Sequence, residues 1–418
     1  MAIGGLMDTS NVPSQLDEDD LRAELEIELP DSGADPYLMS ADFDPGAPEI
    51  EIIEDDDGGV VVDFEPGDKR GESEGFYDNL AEEIPDRELS RIASDLIGAF
   101  DSNRASRQEW EDTYKNGLEL LGFNYEERTM PFRGASGVTH PLLAEAATQF
   151  QAQAFNELLP SSGPVRTVVL GKDTREKQDQ AKRVKQFMNY YITNVMEDYT
   201  PDMDQMLFYL PLAGSTFKKI YYDENMGRAV SKFVPAENLV VPYDTSDLDT
   251  CPNITQVVRM DLNDLRKKQL AGIYLDIDVI PSQSEVTSIR GELDRIDGFE
   301  PNQIDYDCTL LECHVDLDLE GYEELDDEGE PTGVKVPYIV TISQDNGQIL
   351  SIRRNYDEED EKNKKISYFV HYKFLPGFGF YGLGLIHTIG GLARSATSSL
   401  RQLIDAGTLS NLPAGFKA

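Results

Sequence analysis

The spacing of apolar residues divides this chain into a helical stretch, a strand-rich stretch and a last helix. Leu89, Ile92, Ala93, Leu96, Ile97 and Phe100 keep one helical stripe, which predicts a helix with Asp86 as its cap. A second helical piece surrounds Trp110, Tyr114, Leu118 and Leu121. Leu142, Ala146, Phe150, Ala154 and Leu158 then recur at roughly helical spacing, and Leu143, Ala147 and Phe155 widen the stripe. Pro141 suits a first helical turn, and the Pro160-Ser161-Ser162-Gly163-Pro164 run stops the helix. Alanine at this density lets helices approach closely, so this one is expected to lie buried among other helices or between subunits. Residues 173–197 predict a longer charged helix with Val184, Phe187, Met188, Tyr191 and Val195 on one face, and residues 202–214 another.

The period changes near Ser215. Residues 217–222 and 229–234 flank Asp223-Glu224-Asn225-Met226-Gly227, a hairpin signal with a turn of five residues. Further strands are expected at 309–318, 335–343, 348–354 and 366–375, with Asp345-Asn346-Gly347 joining two of them tightly. The last helix opens at Gly382 or Leu383 and runs to Ala406, with Gly407 as its stop. Ile389, Leu392, Ala393, Ala396, Leu400, Leu403 and Ile404 form one face. His387, Gly391, Arg394, Ser398, Arg401 and Asp405 form the other. That pattern suits either a plain amphipathic core helix or a helix with an apolar seam toward neighbours and a polar face toward a channel.

Charge changes the picture at the N-terminus. The 418 residues hold 79 acidic against 37 basic side chains, a net charge of −42. Residues 1–90 alone hold 28 acidic and 4 basic residues. Residues 1–85 are expected to be a mostly disordered acidic arm, because they carry too few core-forming side chains to offset the entropy of ordering. Two apolar islands interrupt it, residues 50–53 and 60–62. They belong either to a solvated tail or to a strand added to a partner. The rest of the chain is acidic too, which argues against a surface that grips DNA phosphates and leaves room for one along which DNA slides. The three cysteines, Cys251, Cys308 and Cys313, suit a reducing compartment better than a disulfide scaffold. No charged-then-apolar leader stands at the N-terminus, and no run approaches the ~18 apolar residues of a membrane span.

Few motifs suggest chemistry. Gly377-Phe378-Gly379-Phe380-Tyr381-Gly382 fits GxGxxG between a predicted strand and a helix. Its bulky rings stand where a backbone would have to approach a pyrophosphate, and no second parallel strand follows. A nucleotide-binding enzyme built on this loop is therefore the weakest alternative. Cys308, Cys313 and His314 lie within one predicted strand, with Cys313 and His314 on opposite faces, which does not suit a metal site. No phosphate loop and no nucleophile motif is present, so neither catalysis nor a cofactor is expected.

Two passages carry a resemblance. PFRGASGVTHPLLAEAATQFQAQAFNELLPSSGP, residues 131–164, and YGLGLIHTIGGLARSATSSLRQLIDAGTLSNLPAGFK, residues 381–417, resemble the portal proteins of tailed double-stranded DNA bacteriophages. The resemblance implies an α+β wing of helices and antiparallel strands over 86–380 and a stem-like helix over 381–411. Residues 412–418 would start a clip, and the rest of the clip, a second stem helix and a crown would be missing. It implies a ring of twelve copies at the capsid vertex of the virion. DNA would pass through the hole without sequence specificity. The ring would dock the terminase large subunit, the tail adaptor and the major capsid or scaffold protein. On that likeness Arg394, Ser398 and Arg401 face the channel, and Leu142, Ala146, Phe150, Ala154, Ile389, Ala396 and Leu403 pack between subunits. The runner-up is an acidic virion or scaffold-like interaction protein without a channel.

Overall fold

The computed structural model describes residues 51–54, 60–63, 75–123, 127–172, 174–223, 226–279, 288–298, 307–324, 331–358, 360 and 362–411. Most of the expected arm, and the start of the expected clip at 412–418, lie outside these residues. The chain divides into two units, residues 1–72 and residues 73–418.

In the first unit, β1 (Glu51–Glu54) and β2 (Val60–Asp63) pair antiparallel with Ile52 opposite Val62. The two apolar islands pair with each other.

The second unit begins earlier than the expected boundary at residue 85. Leu80, Ala81 and Ile84 are already buried in its core, and the arm is correspondingly shorter. Helix α1 (Asp86–Ser106) follows and buries Leu89, Ile92, Ala93, Leu96 and Phe100, the stripe read from the sequence. Helices α2 (Gln108–Leu118), α3 (Leu142–Leu158), α4 (Arg175–Tyr190) and α5 (Tyr199–Ala213) come next. Gly214, in the left-handed region at φ +83°, ends α5 and hands the chain to strand β3 (Ser215–Asp223). β3 pairs with β4 (Arg228–Pro235) as the turn chemistry predicts. Then come β5 (Leu239–Val240), β6 (Asn253–Asp261), α6 (Leu262–Leu270), α7 (Ser288–Asp297), β7 (Asp307–Leu317), β8 (Val336–Ser343), β9 (Ile349–Arg354), β10 (Phe369–Lys373) and α8 (Leu385–Asn411).

Described strand pairs are all antiparallel and form two larger sheets, in the orders β10-β3-β4 and β5-β6-β7-β8-β9. The five-stranded sheet is covered on both faces. Leu311, Cys313 and Val315 of β7 point at α1, while Cys308 and Leu310 point at Leu265 and Tyr274 on and after α6. Cys313 and His314 therefore do lie on opposite faces. A second core joins α2, α3, α5, α7 and α8 through Tyr114, Leu143, Ala147, Leu212, Ile289 and Ala393. At the crossing of α2 and α8, a Cβ on Gly117 would run into the side chain of Ile386, so the close approach requires glycine.

Arg107, between α1 and α2, clasps these layers together. Its buried guanidinium donates to the carbonyls of Ala236 (2.9 Å), Glu237 (2.6 Å) and Leu239 (2.6 Å), to the Tyr381 hydroxyl (2.7 Å) and to Glu111 (2.8 Å). Trp110 stacks between Tyr114 and Tyr381, at centroid distances of 5.7 and 4.9 Å.

Candidate assembly surface on the final helix

α8 is 27 residues long, and its own chain covers it on a face that the hydrophobic pattern does not mark. The buried positions are Ile386, Gly390, Ala393, Thr397 and Asp405. Polar bonds hold the second half of this face. The Thr397 hydroxyl accepts from the amide of His140 (3.1 Å), and Asp405 accepts from the amide of Ser136 (2.7 Å). Arg401 donates to the Val138 carbonyl (2.7 Å) and to Thr139 Oγ1 (3.2 Å). The extended segment 136–140 pairs its backbone in no described sheet, and α8 satisfies several of its backbone groups.

The contact face is thus turned toward the polar side, and much of the apolar arc is left in water. Leu403 is 71% exposed and Leu392 64%. Ala396 and Leu400 are half-buried, and Ile389 packs partly against the helical core. Leu392 and Leu403 thus form an exposed apolar arc along one side of the helix.

Arg394, Ser398 and Arg401 share a side of α8, as their spacing predicts. A groove of about 1240 Å³ opens on that side between α8, α7 and the 118–139 stretch, lined among others by Arg128, Phe132 and Arg295. Arg401 is half-buried there, and its guanidinium bonds to residues 138 and 139 of its own chain. Arg394 and Ser398 are exposed, and Arg394 makes no hydrogen bond or ion pair among the described residues.

The residues expected on α3 to pack between subunits have contacts within the protomer. Phe150 and Ala154 pack against Met203, Met206 and Leu207 of α5, and Leu142 against the helical core. Phe150 further meets Phe374 edge-on at 5.2 Å. These side chains are used inside the protomer. Of the expected set Leu403 is exposed, and Leu142, Ala146, Phe150, Ala154, Ile389 and Ala396 are half-buried.

The glycine loop is packed at one end. A Cβ on Gly382 would strike the carbonyl oxygen of Gly214, and one on Gly384 that of Leu212. The Gly382 amide donates to Ser215 Oγ (2.7 Å). The Gly382 end of the loop is thus packed against the end of α5 and the start of β3, while Gly379 is exposed.

The histidines sit in structural surroundings. Between the two sheets, Lys219 Nζ meets both oxygens of Glu312 at 2.6 and 2.7 Å, and His314 Nε2 lies 2.7 Å from the same carboxylate. Burial pushes the Glu312 carboxyl up, but Lys219 and His314 outweigh it and hold the group well below the usual carboxylate range. Burial keeps His314 neutral despite Glu312, so Nε2 donates. His371 stacks on Phe217 at 4.5 Å and Phe380 at 4.6 Å, and burial followed by the nearby Lys373 charge pushes it down to about 3. Among the described residues no group of three or more His, Cys, Asp and Glu side chains is placed to hold a metal. None of the described helices is long and apolar enough to cross a membrane.

Sequence reasoning passed over Arg107, the Lys219–Glu312–His314 cluster and the exposure of α4. Arg107 falls at the break between two helical stripes, where an isolated charge reads as solvent. The Lys219 and Glu312 partners lie 93 residues apart, so no spacing connects them.

No protein-family model matches this chain, and no curated protein matches it.

Proposed function

We propose that this chain is the structural subunit of a phage portal vertex, a ring through which double-stranded DNA is packaged and ejected. The observation that carries the reading is the uncovered apolar arc of α8, with Leu392 and Leu403 eleven residues and three turns apart on one side. A closed ring needs a head-to-tail seam repeated at every copy, and a long helix with one side held by its own protomer and another left apolar suits such a seam. The wording of residues 131–164 and 381–417 supplies the family. On this reading the chain works by assembly and not by catalysis. Twelve copies surround a channel in the virion, and Arg394 and Ser398 are the α8 residues offered to DNA. An acidic body keeps phosphate contacts sparse, so DNA is not held fast. Terminase, tail adaptor and capsid or scaffold proteins dock on the ring.

Negative-stain imaging of the purified chain tests the proposal. Closed rings with a central hole are expected. Particles of protomer size without a hole, at any concentration, contradict it.

A further inference from the structure

We propose that α4 and the extended segment lying along it form a docking arm for the acidic surface of a second copy of this chain. The inference rests on the assembly reading above but concerns a different element. None of the 16 residues of α4 is buried, yet the helix is well made. Thr174 caps it by accepting from the Lys177 amide. Residues 165–170 run beside it. The Asn189 amide group brackets Val165 through bonds of 2.9 and 3.2 Å, and Thr167 Oγ1 donates to the Ala181 carbonyl at 3.0 Å. The arm therefore holds its shape by its own hydrogen bonds.

Its composition does not suit water. Val184, Phe187 and Met188 recur at steps of three and four on one side of α4, and Phe187 is 61% exposed. On the adjoining segment Leu170 is 86% exposed and Val168 80%. Its charge is opposite to that of the molecule. Residues 164–190 hold seven Lys or Arg and three Asp or Glu, a net +4, so the remaining residues carry −46 of the total −42. A basic arm on so acidic a chain finds its complement on another copy, and electrostatic complementarity sets both encounter and register. A phosphodiester chain would satisfy the cations but leave valine, leucine and methionine in water. A protein surface covers both.

The three native cysteines are buried, so a thiol placed on α4 is the site that a maleimide reagent reaches. Gln186→Cys in the full chain, carrying a photo-activated benzophenone, tests the contact. Irradiation is expected to give a covalent species of twice the protomer mass, with the joined peptide in an Asp/Glu-rich stretch of the other copy. Lys182→Glu with Arg183→Glu should cut that yield about tenfold, as should Phe187→Ser, with the melting temperature little changed because no α4 residue is fully buried. Cross-links confined to one chain, in a protein that still assembles through α8, overturn this proposal alone. Loss of bound DNA with unchanged inter-copy yield in the charge-reversed variant also overturns it, in favour of a nucleic-acid site. A wild-type chain that remains a monomer overturns both this proposal and the assembly reading.

Discussion

Helices α3 and α8 are written in the same vocabulary of alanine, leucine and small polar residues, and the protein uses them in opposite ways. α3 turns its Phe150 and Ala154 onto the methionines of α5, so that its apolar stripe is half-buried within the protomer as far as Ala154. α8 turns Thr397, Arg401 and Asp405 inward to serve the unpaired backbone of residues 136–140, and its Leu392 and Leu403 stay in water. Hydrophobic periodicity locates an apolar face. It does not say which molecule covers it. The difference between the two helices lies in where backbone groups need partners, a demand that outweighs the burial of two or three leucines.

Substitutions can break this contrast at several strengths. The largest effect is expected away from either helix. Arg107→Ala strands three carbonyls and the Glu111 carboxylate in the core and should cost about 3–5 kcal/mol in urea unfolding. Phe150→Ala should follow at about 2–3 kcal/mol, because the ring is half-buried against α5 and Phe374. Arg401→Ala is expected to cost about 1–2 kcal/mol, since it releases the bonds that hold α8 to residues 138 and 139. An equal loss from Phe150→Ala and Leu392→Ala would erase the contrast. Leu392→Ala in the isolated protomer should change stability by no more than about 0.5 kcal/mol.

A pH dependence offers a separate test. His371 is held at about 3, below its ordinary 6.5, so the unfolded chain binds the extra proton first as pH falls. Its contribution to stability is full above 6.5 and is lost progressively between 6.5 and 3. His371→Gln keeps a hydrogen-bonding partner for Ser215 and should flatten that part of the stability profile. Glu312 and His314, also shifted down, add slope of the same sign and remain in the variant.

Much of this architecture was legible in the residues. The β3–β4 hairpin follows from its five-residue turn between alternating strands, and α1 from a clean stripe beginning at Leu89. Strand β6, next to the centre of the five-stranded sheet, was not. Thr255, Gln256 and Arg259 interrupt its apolar run, and its neighbours β5 and β7 supply the pairing that its own pattern does not announce. The end of the acidic arm was misplaced because residues 75–84 read as one more polar stretch. In fact Asn79 spans two strand positions, donating to the Leu350 carbonyl and accepting from the Ile352 amide, and this brings Leu80 and Ala81 into the core. The inner face of α8 was misread because hydroxyl, guanidinium and carboxylate groups count as solvent-facing in any hydrophobic pattern. Here they are buried or half-buried by bonding to backbone.

The central claim is that copies of the chain meet along the open side of α8. Light scattering on the full chain beside Leu392→Glu with Leu403→Glu measures it directly. The account predicts a large assembly for the wild type. The double variant should run at the protomer mass of 46.8 kDa with an unchanged melting temperature. An identical mass for the two proteins would contradict it.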